Sequence, residues 1–389
     1  MSVVQFEYLK VTTMTVVMPL KGMVNLDMVY PLLKITRLDL PVPKRQTQKY
    51  KIPYYGIHGA ILSARYKGAT RGIIKSQTKS HFLNAITIDL STSVKNVNLK
   101  LSKSKMQMCG VNSDKLALEA GQYIIDELYD IQDNIDYLNA HSEEAAKVTE
   151  WLKVATKSKQ VEFPPGTMDE DQTESIILHG IEIPEKIPDD LDTKIATFLI
   201  RQAPDFMVYE DYCLQLDWVL TIKQVISKPL EIIEVNKVMV NYNYDLGFNI
   251  NRWHLSQLIN GLNGFNARYE NTVDHSVTIE LPYELPTGMK VTRRKDKIPC
   301  HTFLVYKSGL VTQSGPNEEL MKEAYYIFNN TINQIKDSIM KPGVIRKIKF
   351  TPFQEKSSSS SIENSDENSD EANFPLDNSD ELISTIQSV

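Results

Sequence analysis

Apolar residues along this chain recur at two spacings, alternate positions for strands and every third or fourth for helices, and the spacings follow one another in the same order twice. In the first run Val11–Leu20 is β-branched and apolar and reads as a long strand, with Pro19 bending it or placing it at a sheet edge. A short helix follows at Met28–Ile35, capped by Asp27. Beyond a proline-bearing loop over 40–53, strands are expected in Gly59–Lys67, Gly72–Lys75 and Phe82–Leu90. Val97–Leu101 and Lys105–Cys109 read as a hairpin, and the helix from Ser113, apolar at Leu116, Ala120, Ile124, Leu128 and Ile131, is expected to close near Tyr129. In the second run Val235–Tyr244 alternates, Arg252–Leu262 reads as a helix, and Phe265–Tyr269 and Ser276–Leu281 read as strands. The run ends in a hairpin over His301–Gly315, turning at Lys307-Ser308-Gly309, and a helix capped by Asn317 that reaches Ile339.

Corner residues support duplication. Gly110-x-Asn112 and Gly315-x-Asn317 mark the same strand-to-helix corner, 205 residues apart (315−110). Asn25-Leu26-Asp27 and Asn249-Ile250-Asn251 precede the two short helices, 224 apart (249−25). Between the copies the character changes. Glu143–Val154, Asp190–Arg201 and Tyr212–Ile226 carry helical or apolar periodicity, and Phe163–Gln172 is a breaker-rich acidic loop. The organisation expected is a first repeat over 1–134, an acidic and mainly helical insert over 135–234, a second repeat over 235–353 and a tail over 354–389. Gly343–Phe350 reads as a short basic strand or arm, and the Ser-rich acidic tail holds too few apolar residues to fold.

Composition adds little except in charge. A chain of 389 residues with 42% hydrophobic and 24% charged residues is that of a soluble globular protein with room for about two cores. No run is long enough to span a bilayer, and no secretory signal is visible, so no membrane partner and an intracellular setting are expected. Three cysteines, Cys109, Cys213 and Cys300, form neither a metal nor a disulfide pattern. The net charge of −6 hides an asymmetry: Lys34–Lys105 holds fifteen Lys/Arg against two acids, and the tail after Ser357 holds eight acids and no base. A long basic segment is either the footprint of a polyanion partner or a solvated surface. Arg65, Lys67, Arg71 and Lys105 lie in it, and Pro286–Pro299 is a second basic loop with Arg293 and Arg294.

No nucleophile elbow, phosphate-binding glycine loop or zinc-protease motif is present, and the seven histidines are scattered. A binding module without cofactor or metal is therefore expected rather than an enzyme. At the corners just described the chain resembles the TATA-box-binding protein family. The matching residues are Tyr306-Lys-Ser308-Gly309 and Ser314-Gly315 in the second half, Leu101-Ser-Lys-Ser-Lys105-Met106 and Cys109-Gly110 in the first, and Thr15–Asp27 at the first strand. The resemblance covers about Val11–Tyr129 and Val235–Ile339, and divergent relatives encoded by large DNA viruses would fit such a sequence.

The resemblance implies an α+β fold in which two pseudo-symmetric repeats form a curved antiparallel sheet, a saddle with helices on its convex face. It implies minor-groove binding to double-stranded DNA, with wedge side chains unstacking base steps, and recruitment of transcription factors or RNA polymerase subunits. The wedges map to Tyr306 and Leu101, and Lys105 matches a lysine beside the turn. The other wedge positions fall near His58 and Val273, where no Phe stands, and the groove-reading Asn positions fall near Thr15 and Met239. The nucleus, a cytoplasmic viral factory or a virion are the settings such a factor implies. The rival reading is a protein-binding or virion structural module that keeps the saddle without DNA.

Overall fold

The structure is a computed structural model, and it describes residues 5–36, 56–72, 82–163, 176–201, 209–270, 272–284 and 298–341. The basic loop with Arg293 and Arg294, the basic arm 343–350 and the acidic tail lie outside the described residues. The chain divides into two compact units, Thr13–Met239 and Met1–Thr12 with Val240–Val389.

The larger unit starts with β1 (Val11–Lys21), α1 (Leu26–Leu32), β2 (Ile61–Tyr66), β3 (Ala69–Gly72), β4 (Ile86–Ser91), β5 (Asn96–Ser102), β6 (Lys105–Val111) and α2 (Asp114–Ala140). Its strands pair in the order β1-β6-β5-β4-β2-β3, and each pair is antiparallel. It continues with α3 (Ser142–Ala155), β7 (Lys157–Phe163), β8 (Ile176–Glu182), α4 (Thr193–Ile200), α5 (Tyr209–Thr221) and β9 (Glu231–Ile232). The smaller unit holds β10 (Asn236–Asp245), α6 (Arg252–Ile259), β11 (Asn266–Arg268), β12 (Ser276–Pro282), β13 (Cys300–Tyr306), β14 (Leu310–Gly315) and α7 (Glu318–Ile339). Here the order is β10-β14-β13-β12-β11, again antiparallel. Matching β1 to β10, α1 to α6, β6 to β14 and α2 to α7 makes the two orders the same, except that the first ends in one more strand, β3. The α+β class and the twofold repeat of strand, short helix, sheet and long helix are as expected.

In each repeat one sheet face is apolar because alternate residues point to it. Val16, Met18, Leu99, Leu101, Met106, Met108, Ile86 and Ile88 are buried on that face of the larger unit. The helix α2 lies against it, and any Cβ at Gly121 would meet Met18 Cε at 2.9 Å and Ile232 Cδ1 at 2.7 Å. In the smaller unit Val240, Tyr242, Val277, Ile279, Phe303, Val305 and Val311 are buried with Phe328 and Ile332 of α7. Phe6, just ahead of β1, completes this second core. Its ring lies 4.9 Å from Tyr242 and 5.4 Å from Tyr325.

The β–α corners repeat bond for bond. In the first, Val24 N–H donates to Lys103 O (2.8 Å), Asn25 N–H to Val225 O (2.9 Å) and Ser227 N–H to Met23 O (2.9 Å). In the second, Ile250 N–H donates to Lys307 O (2.9 Å), Asn251 N–H to Ile339 O (2.7 Å) and Lys341 N–H to Asn249 O (2.9 Å). Val225–Ser227 therefore does for the first repeat what Ile339–Lys341, at the end of α7, does for the second. Residues 141–221 are an excursion between α2 and that closing segment. The chain returns beside its point of departure, where Asn139 Nδ2 donates to Ile222 O (3.0 Å). Gln132 Oε1 accepts from the N–H groups of Val225 (2.7 Å) and Ile226 (3.2 Å).

Several local expectations are corrected. The helix α1 is capped by Asn25, whose side chain accepts from Met28 N–H, and Asp27 sits in its first turn. The long helix runs past Tyr129 to Ala140, because Ile131, Ile135 and Leu138 continue its buried stripe. The insert carries an antiparallel pair, β7–β8, besides its helices. Pro19 stays in register with Lys105, and the irregularity in β1 falls between Met14 and Thr15. The two glycine corners differ in cause. Gly110 has φ +84 and is the extra residue of a bulge opposite that step, whereas Gly315 pairs with Val240 and is small because His301 Nδ1 lies 2.6 Å from where its Cβ would stand. The helix caps are Ser113 and Asn317, so Asn112 precedes the first cap rather than forming it.

Candidate nucleic-acid interface

Strand register decides which side chains share the sheet face turned away from the helices. In the smaller unit three rows cross that face. One is Asn241, Ser314, Thr302, Glu280 and Asn266, and the next is Asn243, Thr312, Leu304, Thr278 and Arg268. The third holds Asp245 with Leu310, and Tyr306 with Ser276. The rows are mainly hydroxyls and amides, with two leucines, one cation, Arg268, and two carboxylates, Glu280 and Asp245. Tyr306 is half-buried at the end of β13, with its side chain on this face.

In the larger unit the corresponding rows are Thr15, Cys109, Asn98, Asp89 and Ser63, then Val17, Gln107, Lys100, Thr87 and Arg65, then Pro19, Lys105 and Ser102. Lys105 is exposed beside the turn. Toward β4 and β2 this face is closed. Asp89 is 2% exposed, Ser63 1% and Lys100 5%. Asp89 accepts from Ser63 Oγ (2.7 Å) and Asn98 Nδ2 (3.1 Å), and Lys100 Nζ lies 3.9 Å from the centre of the Phe82 ring. The carboxylate is held by donors and the ammonium lies under a ring, and both are buried, so neither is turned out to a ligand.

The sequence-derived residues fare unequally. Leu101 is fully buried, paired with Met106 and Ile86 on the helix side, so it is no wedge. The mismatch with Tyr306 comes from turn length. Ser102 pairs with Lys105 across a two-residue turn, whereas Lys307-Ser308-Gly309 puts three residues between Tyr306 and Leu310. One residue of slip moves a side chain to the other face, and Ser102 occupies the first repeat's counterpart of Tyr306. Arg71 also faces the helices. Its guanidinium donates to the carbonyls of Tyr30 (2.7 Å) and Pro31 (2.8 Å), closing the C-terminal turn of α1, and burial pulls its pKa down to about 10. It is a helix cap, not a phosphate contact. Lys67 pairs with Asp27 at 2.6 Å, and that hydrogen bond raises its pKa. Arg65 is on the sheet face away from the helices. Arg293 and Arg294 lie outside the described residues.

The groove-reading Asn of the second half is corrected too. Thr15 lies opposite Cys109 as Asn241 lies opposite Ser314, so the counterpart of Thr15 is Asn241 rather than Met239. His58 and Val273 are both exposed in turns. No helix among the described residues is long and apolar enough to cross a membrane, and no group of three or more His, Cys, Asp or Glu among them could hold a metal ion.

No family model matches the chain. No curated protein matches it either. Among solved structures the chain is similar to "Methanococcus jannaschii TBP", at 15% sequence identity and a TM-score of 0.35, over 84% of this chain and 98% of that one.

Proposed function

We propose that this chain is a divergent factor of the TATA-box-binding protein type, which binds double-stranded DNA in the minor groove and recruits transcription machinery through its helical side. Tyr306 carries the reading: an aromatic ring at the strand end, on the sheet face turned away from the helices, beside rows of hydroxyls and amides. The floor of an A·T minor groove offers acceptors only, and Asn241, Asn243, Ser314, Thr302 and Thr312 supply donors on short side chains. A ring between base steps costs a few kcal/mol of stacking, offset by the surface that bent DNA wraps. With Ser102 in the matching place, wedging is one-sided, and the second repeat makes the deeper contact.

A mobility-shift titration with A·T-rich and G·C-rich duplexes, wild type against Tyr306→Ala, tests this. The expected result is tighter binding to the A·T duplex and a loss on substitution. Equal affinity in all four combinations would refute the reading. The rival, a protein-binding module without DNA contact, draws on the lack of surplus cations on the second repeat's face, where the three rows hold one cation, Arg268, and two carboxylates, Glu280 and Asp245. Salt separates the two, since phosphate binding weakens steeply as salt rises and an apolar protein contact does not.

A further inference from the structure

The two β–α corners share a backbone and differ in charge. At the first, Asp27 and Lys103 line the cavity together, and Asp27 is held by Lys67 at 2.6 Å. At the second, Leu26 is replaced by Arg252, Asp27 by Trp253 and Ser227 by Lys341, and Lys307 stands in place of Lys103. The cavity there, about 260 Å³, is lined by these three cations, Trp253 and Tyr269 among others, with no acid among its lining residues.

The cations come from three segments, the start of α6, the β13–β14 turn and the residues after α7. Arg252 Nη1 donates to the carbonyls of Asp274 and His275, and its guanidinium carbon lies 4.9 Å from the centre of the Tyr269 ring. Lys307 and Lys341 project from backbones bonded to Ile250 and Asn249. Both are exposed, and neither forms an ion pair with a described acid. The nearest turn's Asp274 directs its carboxylate to Glu270 N–H (2.6 Å). Three cations gathered on a rigid corner repel one another unless an anion joins them, and a guanidinium with two ammonium groups suits phosphate oxygens.

We infer that this second corner is a phosphate-binding site, built by exchanging the acid of the first corner for cations on a duplicated frame. The phosphate comes from a free phosphorylated small molecule or from a nucleic-acid backbone, and only the second source rests on the minor-groove reading.

Calorimetric titration of the full chain with inorganic pyrophosphate decides it. Wild type is compared with the double variant Lys307→Gln/Lys341→Gln and with Lys103→Gln at the first corner. Pyrophosphate affinity falls about tenfold or more in the double variant and is unchanged in Lys103→Gln. Absent binding to wild type, or equal binding by all three proteins, overturns the inference. A parallel salt series with a duplex names the source: a backbone phosphate lowers the slope of log affinity against log salt by about two in the double variant, and an unchanged slope assigns a free ligand. The pyrophosphate result stands even if the chain binds no duplex.

Discussion

At the scale of the residue, two positions that sequence treats as partners do opposite things. Leu101 is core and Tyr306 is surface, so truncation separates them. Leu101→Ala is expected to destabilise the chain by about 2–5 kcal/mol, the range for buried leucines, with a lower denaturant midpoint. Tyr306→Ala is expected to leave the midpoint nearly unchanged and to weaken duplex binding. His301 gives a pH handle. It is 2% exposed, and burial lowers its pKa to about 4. Unfolded, it takes up a proton near its ordinary pKa of about 6.5, so between the two values the unfolded chain binds the extra proton. Stability is therefore lost as pH falls from about 6.5 to about 4, on the order of 3 kcal/mol in all, and the loss levels off below that. Urea midpoints at pH 7 and pH 5 check this: the drop attributed to His301 should vanish in His301→Gln, and an equal drop in both proteins would refute it.

At the scale of the element, most strands and helices could be read from periodicity, since burial of alternate or every third or fourth residue is what made them. The end of α2 was not legible, because nothing at Tyr129 stops a helix and its stripe simply continues. Nor was β7–β8. What sequence could not supply was the match between the two hairpins: a two-residue turn in one and a three-residue turn in the other leave apolar patterning intact while shifting by one residue which position of β5 corresponds to Tyr306. The register of β5 is held by Leu99 and Leu101 in the core rather than by its turn. Inserting one glycine between Lys103 and Ser104 should thus be absorbed in the loop at a cost of tenths of a kcal/mol. A Leu101→Cys thiol should be equally slow to alkylate with or without the insertion, and rapid labelling of the lengthened chain would show the turn in control.

At the scale of the whole molecule, the repeat was legible in its corners, though the matching glycines have different causes and Asn25 matches Asn251 rather than Asn249. Its full extent appears only in backbone bonds, because hydrogen bonds such as Asn25 to Val225 and Asn251 to Ile339 leave no mark in side-chain identity. The candidate binding face was half legible. Tyr306 and Lys105 were placed correctly on the sheet side away from the helices, whereas Arg71 reads as an ordinary surface base until its carbonyl partners are seen. If 141–221 is an excursion, replacing it by a short linker should give a chain that still folds cooperatively, at reduced stability because α3 and α4 no longer cover α2. Circular dichroism melts test this, and a chain without a cooperative transition would show that the excursion belongs to the core.

The neighbourhood of Asn139 and Ile222 has a practical meaning. Because one asparagine amide spans departure and return, the chain has a doorway whose two jambs stand side by side, and whatever passes through it need only have adjacent ends. A compact reporter with neighbouring termini could be spliced there without stretching the scaffold, and over generations so could any module the lineage happened to acquire.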